Sequence, residues 1–223
     1  MMIAVVIPAY NAQRKVAEIV VEARKQLEPV IVVDDGSKDG TGAVAEAVGA
    51  VVLRHEKNRG KGAALKTAFA WALDHGYDAV ITVDADGQHL PGEIPKFVER
   101  YQRGKEDLII GGRSHLFHEM LPRRRNANRF SAWCIAMCSG VEITDSQSGF
   151  RLYSARLLRA IKLHTDGFDM ESEVIVLAGR RGFDIITIPI DLGFVDGVGT
   201  SHFKPLKDTL RIAWTVTRAR FLW

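Results

Sequence analysis

Uninterrupted apolar runs recur along this chain, and helical patterns fall between them. The runs predict strands at 3–7, 30–33, 50–53, 79–83, 108–110 and 185–190. A strand that is apolar at every position has both faces covered, which is typical of a parallel sheet between two layers of helices. The helical patterns fall at 12–27, 40–48, 61–75 and 93–103. This alternation predicts an α/β fold with a mostly parallel open sheet flanked by helices.

The composition fits one large globular domain. The chain has 223 residues, of which 47% are hydrophobic and 26% are charged, and this length allows a sizeable core. A net charge of +3 is too small to indicate a nucleic-acid partner. Because no run of about eighteen apolar residues occurs, the sequence predicts no transmembrane helix. The first residues have the pattern of a strand rather than a signal peptide, so we predict a cytoplasmic protein.

Two cysteines, Cys134 and Cys138, lie in a predicted helix. So small a number favours free thiols in a reducing compartment over a disulfide framework. A zinc site that also uses His115 and His118 is the alternative, although the spacing matches no common zinc pattern. We therefore expect these cysteines to be small core side chains.

Polar segments follow the predicted strands. They are PAYN at 8–11, DDGSKDGT at 34–41, RHEKNRGKGAA at 54–64, DADGQH at 84–89 and GGR at 111–113. In an open parallel sheet, ligands bind beyond the carboxyl ends of the strands. The sequence therefore predicts a ligand site at this edge of the sheet.

Two carboxylates one residue apart follow the fourth strand. If the extended backbone continues, Asp84 and Asp86 lie on the same side, with Gln88 beside them. Like charges in one place repel unless a cation lies between them. Mg²⁺ or Mn²⁺ would be such a cation, since both take oxygen ligands and act together with substrate phosphates. The alternative is an exposed aspartate pair that caps a turn.

Other ligands fit this edge less well. GKGAAL at 60–65 lacks the third small residue of a dinucleotide fingerprint and follows the third strand rather than the first. No P-loop motif occurs in the sequence. Asp34 and Asp35 could accept hydrogen bonds from a base or ribose, but the same composition also favours a turn and a helix cap. Tyr10 could stack on a base or simply pack.

Together these segments resemble the family 2 glycosyltransferases, whose GT-A fold is a single domain with a Rossmann-like sheet. The matching motifs are VVIPAYN, VVDDGSKDGT, NRGKGAAL and VDADGQH. Four later motifs resemble the polyprenol-phosphate sugar transferases of the dolichyl-phosphate mannosyltransferase type. They are GGR at 111–113, TDSQSGFRLY at 144–153, FDMESEV at 168–174 and GTSHF at 199–203.

The resemblance implies a metal-dependent enzyme that moves a sugar, with inversion, from a nucleoside-diphosphate sugar to a polyprenyl phosphate. An anionic acceptor needs positive charge rather than a general base. The implied nucleotide-sugar-binding residues are Pro8, Tyr10, Asn11, Asp35, Lys61, Asp84, Ala85 and Asp86. The implied metal ligands are Asp84, Asp86 and Gln88, and the implied catalytic residues are Asp86, Arg113 and Asp145. The implied acceptor-phosphate residues are Arg113, Arg125, Arg129 and His202.

Other functions remain open. For an acceptor that is a hydroxyl of a glycan or glycolipid, Asp145 or Glu171 becomes the candidate base. Otherwise Asp145 orients the site loop, and the acids of FDMESEV favour a helix start. A silent nucleotide-sugar-binding protein is the non-enzyme alternative. It stays open because Asp196 and Val198 lie where the mannosyltransferases carry arginines, and His202 replaces a common lysine. The paired aspartate motifs disfavour a nucleotidyltransferase.

We expect a nucleotide-sugar and metal part at 1–113, an acceptor-side part at 114–203 and a C-terminal amphipathic helix at 204–223. The helix is basic and has an apolar stripe formed by Leu206, Leu210, Ala213 or Trp214, Thr217 and Phe221. Such a helix can lie in a membrane interface, so we predict a peripheral protein at the cytoplasmic face. Packing on the core or on a partner is the alternative. The basic stretch Arg123–Arg125 could equally be an exposed loop or touch the membrane.

Overall fold

One seven-stranded sheet runs through the molecule. A computed structural model describes residues 1–104, 106–113, 122–193 and 205–223, with side chains except at 122–124, 127 and 205–208. The strands are β1 (Ile3–Ala9), β2 (Val30–Asp34), β3 (Val51–Arg54), β4 (Ala79–Thr82), β5 (Leu108–Gly112), β6 (Arg151–Ser154) and β7 (Ile185–Pro189). Their order across the sheet is β3-β2-β1-β4-β6-β5-β7. All neighbouring pairs are parallel except those that β6 makes with β4 and β5.

Helices cover both faces of this sheet. They are α1 (Gln13–Gln26), α2 (Thr41–Ala47), α3 (Lys61–Asp74), α4 (Ile94–Gly104), α5 (Pro122–Ser139), α6 (Ala155–Ala160), α7 (Met170–Arg180) and α8 (Pro205–Phe221). A 3₁₀ turn at Pro91–Glu93 precedes α4. The predicted mostly parallel α/β fold is confirmed, as are the four helices predicted before residue 104.

Two apolar cores explain why the predicted strands have no polar side. In β1, Ala4 and Val6 belong to the core shared with α3, α5, α7 and α8. Ile3, Val5 and Ile7 belong to the core on the opposite face, shared with α1 and α4. Because successive strand side chains point to opposite faces, a strand buried on both sides must be apolar throughout.

The sequence reading missed β6. This strand has a buried arginine and a buried tyrosine among its four residues, Arg151 to Ser154, so it has no apolar run. It inserts between β4 and β5 in the antiparallel sense. The segment that leads into β6 therefore lies at the same edge of the sheet as the carboxyl ends of β4 and β5.

The C-terminal helix α8 has apolar side chains on two faces. Ile212, Val216 and Ala219 are buried, where α8 packs against α5 and α7. Leu210 and Trp214, from the predicted apolar stripe, are 63% and 66% exposed. Packing on the core and an exposed apolar stripe thus occur on one helix. None of the helices described by the structure is long and apolar enough to cross a bilayer.

Candidate active site

The DADGQH segment at 84–89 lies in a turn and not in a strand. We call this segment the aspartate turn. β4 ends at Thr82, Gly87 has φ of 77°, and Asp86 Oδ1 accepts a hydrogen bond from the Gln88 backbone N–H at 2.9 Å. The prediction that strand alternation aligns Asp84 and Asp86 is therefore wrong, and the positive φ of Gly87 interrupts the extended backbone that was assumed up to Gln88. Burial, and then the charge of the nearby Asp84, raise the pKa of Asp86.

The cation beside Asp84 is Lys61. Its Nζ lies 2.6 Å from Asp84 Oδ1 and 3.1 Å from Glu171 Oε2, and the lysine side chain is only 13% exposed. Burial by itself would lower the pKa of Lys61, but Asp84 and then Glu171 outweigh it and raise that pKa. Burial likewise opposes ionisation of Asp84, but the charge of Lys61, and then that of Arg113, hold its pKa below the usual value. Lys61 is the first residue of α3 and Glu171 lies in the first turn of α7, so this ion pair joins two helix N-termini.

Arg113 forms a bidentate ion pair with Asp145. Arg113 Nε donates to Asp145 Oδ2 at 2.7 Å and Nη2 donates to Oδ1 at 3.1 Å. Asn128 Nδ2 also donates to Asp145 Oδ1 at 3.1 Å. Asp145 is fully buried. Although burial would raise its pKa, the charge of Arg113 and these hydrogen bonds lower it.

A glycine lets the segment before β6 approach the aspartate turn. A Cβ atom at Gly149 would overlap Asp84 Oδ2 and would lie 2.6 Å from Lys61 Nζ. The backbone carbonyl of Gly149 also accepts a hydrogen bond from Thr82 Oγ1 at 2.7 Å. On the other side, Arg151 is fully buried and donates to the carbonyls of Ser146, Ser148 and Glu171. The antiparallel strand thus fixes the segment 146–149 against the aspartate turn.

Asp35 supports the loop that precedes Lys61. Its carboxylate accepts hydrogen bonds from the backbone N–H groups of Arg59 at 2.9 Å and Gly60 at 2.8 Å. His55 Nδ1 lies 2.7 Å from Asp35 Oδ1, and Asp35 is buried. The structure therefore uses Asp35 to hold the 59–60 backbone, and its predicted contact with a nucleotide stays a prediction. His55 follows β3 directly, and sequence reasoning had not singled it out.

The loop between β2 and α2 shows the turn chemistry expected of DDGSKDGT. Asp34 Oδ1 accepts from the Ser37 N–H at 3.0 Å, and Asp39 Oδ1 accepts from the Thr41 N–H at 3.0 Å. Asn11, in the left-handed region with φ of 51°, accepts from the Lys38 N–H through its side chain. The β1 and β2 loops are thus joined. Pro8, Tyr10 and Ala85, also predicted for nucleotide binding, are half-buried at this edge.

His89 is a buried imidazole that the sequence reading did not use. Its Nδ1 lies 3.7 Å from Asp84 Oδ2, and its ring packs on Phe150 with centroids 5.4 Å apart. Burial lowers the pKa of His89 to about 4, so the ring is neutral at physiological pH. Within the described part of the chain, neither ring nitrogen has a hydrogen-bond partner.

The other predicted side chains divide between exposed, half-buried and undescribed positions. On α5, Arg125 is half-buried and Arg129 is exposed. Cys134 and Cys138 are free thiols, as expected. Residues that lie outside the described ranges are His115, His118, Asp196, Val198 and His202.

The donor set at the aspartate turn fits a hard divalent cation. Asp84, Asp86 and Gln88 offer oxygen atoms, and burial together with the charge of Asp84 raises the pKa of Asp86. Over the ranges that the structure describes, no three His, Cys, Asp or Glu side chains form a group that could hold a metal ion. The carboxylates would therefore need additional oxygen ligands, which is typical of Mg²⁺ sites completed by substrate phosphates.

The open sheet with an aspartate turn at its carboxyl edge agrees with the expected GT-A fold. The model of "Glycosyl transferase family 2" matches residues 4–163. The chain belongs to this family. Sequence comparisons with individual proteins agree with this assignment, and structure comparisons agree with the fold.

Two curated relatives and one solved structure illustrate the similarity. The undecaprenyl-phosphate mannosyltransferase of Micrococcus luteus is 30% identical, over 85% of this chain and 83% of that protein. The UDP-N-acetylglucosamine–dolichyl-phosphate N-acetylglucosaminyltransferase of Methanococcus voltae is 27% identical, over 85% and 84%. Glucosyl-3-phosphoglycerate synthase from Mycobacterium tuberculosis, solved with Mn²⁺, UDP and glucosyl-3-phosphoglycerate, has a TM-score of 0.71 at 21% identity. That match covers 98% of this chain and 80% of the other.

Proposed function

We propose that this glycosyltransferase moves a sugar, with inversion, from a nucleoside-diphosphate sugar to the phosphate of a polyprenyl lipid. The two curated relatives named above support the acceptor, since both names specify a lipid phosphate while the sugars differ. The observation that carries the proposal is the pairing of charges at the sheet edge. Asp145 pairs with Arg113, and Asp84 and Glu171 both pair with Lys61.

These ion pairs suit an acceptor that is already an anion. Asp145 is a poor proton acceptor because Arg113 lowers its pKa. A phosphate acceptor needs no proton removed, but it needs cations that offset its repulsion from the donor diphosphate. Arg113 provides a fixed guanidinium, since the bidentate contact with Asp145 restrains its orientation. We assign Arg113, which follows β5, to the acceptor phosphate. Arg125 and Arg129, both on α5, are the next candidates for this contact.

Asp84, Asp86 and Gln88 are the residues proposed to hold the divalent cation. When bound, such a cation neutralises the diphosphate leaving group. Lys61 and the 59–60 backbone held by Asp35 border the same space on the donor side. Pro8, Tyr10, Asn11 and Ala85 are proposed to contact the nucleotide from the neighbouring loops.

Product extraction tests the acceptor. Purified protein would be incubated with a polyprenyl phosphate, Mn²⁺ and radiolabelled GDP-mannose, UDP-glucose or UDP-GlcNAc. We expect one donor to give a chloroform-soluble labelled product. Asp86→Asn should lower its rate by about 10²–10³-fold, the usual effect of losing one transition-state charge contact. Asp74→Asn is the matched control, because Asp74 is an exposed aspartate at the end of α3. Full activity in Asp86→Asn would contradict the metal role.

A hydroxyl acceptor is the second candidate, and one observation favours it. Glu171 is buried, and its Oε1 has no hydrogen-bond partner among the described residues. A carboxylate oxygen of this kind could receive a proton from a sugar hydroxyl. Labelled product that stays in the aqueous phase, and disappears in Glu171→Gln, would favour this reaction over transfer to a lipid phosphate.

Contact with a membrane surface is part of the proposal. α5 and α8 pack together, and both expose large apolar side chains, namely Phe130, Trp133 and Met137 on α5 and Leu210, Trp214 and Phe221 on α8. Exposed arginines lie beside them, including Arg211, Arg218 and Arg220 on α8. Apolar side chains beside basic ones suit an anionic lipid interface. Which face of the membrane the protein meets stays a prediction.

Vesicle flotation tests this surface. The double variant Trp214→Ser, Phe221→Ser should bind phosphatidylglycerol-containing vesicles at least about tenfold more weakly, because each large side chain gains about 1.5–3 kcal/mol on burial. Its unfolding midpoint should hardly change, since both side chains are exposed. Val21→Ser, which removes an exposed apolar side chain from α1, is the control. Equal flotation of all three proteins would refute the membrane surface.

A further inference from the structure

Lys61 occupies the position beside Asp84 in which a metal ion would bind. Its ammonium lies 2.6 Å from Asp84 Oδ1, whereas Mg²⁺ binds carboxylate oxygens at about 2.0–2.1 Å. A cation bound at that oxygen and an ammonium in contact with it would repel strongly at such a separation. The two cannot share the position without a shift of the lysine.

The protein leaves little room behind the lysine. A single Cβ atom on Gly149 would lie 2.6 Å from Lys61 Nζ, so the backbone before β6 blocks retreat in that direction. Lys61 also lies 5.9 Å from the centroid of the Phe168 ring. The ammonium is therefore confined, and its displacement requires another acceptor nearby.

Glu171 is that acceptor. It already pairs with Lys61 through Oε2 at 3.1 Å. Its other oxygen, Oε1, is buried and has no hydrogen-bond partner over the part of the chain that the structure describes. An unpaired buried carboxylate oxygen is costly, and it would be satisfied by an ammonium that moved from Asp84.

We propose that Lys61 is an exchangeable counter-ion: it neutralises Asp84 in the free protein, and a divalent cation that binds there displaces it onto Glu171. This inference rests on the metal site of the proposed function. Without a diphosphate, the entering cation must compete with an internal ammonium, so the free protein should hold the metal weakly. Donor and metal would then bind together, since the phosphates supply the remaining ligands.

Direct Mn²⁺ titration of the nucleotide-free full chain tests the exchange, with the EPR signal of free Mn²⁺ as the readout. Lys61→Met should bind Mn²⁺ about tenfold or more tightly than the unaltered protein, because the competing charge is removed. The matched control is Lys66→Met. Lys66 lies on the same helix and pairs with Asp166 at 2.5 Å, so its loss should change the affinity by less than about twofold.

A second variant moves the affinity in the opposite direction and does not depend on the folding of the first. Glu171→Gln removes the destination of the ammonium and should weaken Mn²⁺ binding several-fold. Unchanged or weaker binding in Lys61→Met, or unchanged or tighter binding in Glu171→Gln, would overturn the exchange. The proposed metal site fails in a different way, namely if the unaltered protein binds no Mn²⁺ even with UDP present.

Discussion

Arg113 and Asp145 show how one buried charge compensates another in this protein. Both side chains are buried or nearly so, and each satisfies the other through two hydrogen bonds. A buried pair of this kind contributes little net stability, but the loss of one partner leaves an uncompensated charge. The same principle applies to Lys61, which pairs with the two carboxylates of Asp84 and Glu171.

Removal of the Asp145 charge should therefore destabilise the fold. We expect Asp145→Asn to lower the free energy of unfolding at pH 7 by about 3–5 kcal/mol, because Arg113 stays buried without its counter-charge. Urea titration measures the change. Asp74→Asn, at an exposed aspartate, should alter it by less than about 0.5 kcal/mol.

The pH dependence provides a check on the cause. The pKa of Asp145 is lowered in the folded protein, so the unfolded chain binds its proton first as the pH falls. The contribution of the pair is present above the unfolded value of about 3.9 and disappears as the pH falls from there through the lowered folded value. Asp145→Asn should lack this part of the acid destabilisation, and an identical slope in both proteins would contradict the assignment.

Among the elements, β6 connects the two halves of the chain at the site. Its antiparallel insertion brings the segment 146–149 from the second half of the chain onto the aspartate turn of the first half. The turn after β4 and the N-termini of α3 and α7 then surround one space. Close approach of the backbone is possible only because position 149 has no side chain.

A methyl group at Gly149 tests that approach. Gly149→Ala should lower the free energy of unfolding by about 1–3 kcal/mol, the usual cost of overpacking. It should also abolish the Mn²⁺-dependent thermal shift with UDP, because the added Cβ overlaps Asp84. Gly92→Ala is the matched control, since no atom lies within 4 Å of its Cβ position. Equal behaviour of the two variants would show that the contact is not required.

The local sequence predicted some of these elements and missed others for a physical reason. Strands that are buried on both faces can be predicted from unbroken apolar runs, and β1 and β2 are examples. β6 carries Arg151, whose guanidinium is satisfied by three backbone carbonyls. Those carbonyls lie 3 to 20 residues away along the chain, so no periodicity within the strand could have indicated that an arginine is tolerated there.

At the scale of the whole molecule, α8 closes one of the two cores. It buries Ile212 and Val216 against α5 and α7. It also contacts the buried Asp169, since Thr215 Oγ1 donates to this carboxylate at 2.7 Å and Arg211 Nε lies 3.0 Å from it. Asp169 directly precedes α7, which carries Glu171. The C-terminal helix is thus part of the fold as well as the proposed membrane surface.

Truncation after residue 204 should therefore unfold the protein. It should not produce a folded enzyme that has lost only its binding to membranes. Exposure of the buried face of α8 and of Asp169 should cost at least about 5 kcal/mol, which is comparable with the total stability of a typical domain. Thermal unfolding followed by circular dichroism measures the effect, with Phe221→Ser as a control at an exposed position. A truncated chain that melts cooperatively at the original temperature would contradict this role.

Unbroken apolar runs and the polar segments after them are local patterns, so the parallel sheet, the edge that carries the site and the family motifs could be predicted from the residues alone. Which charges meet at that edge depends on the packing of distant segments. Lys61 and Glu171 are 110 residues apart in the chain, and the cation expected beside Asp84 was a metal ion rather than this lysine. Such pairings depend on how β6 and α7 pack against the first half of the chain, and local periodicity contains no information about contacts at that separation.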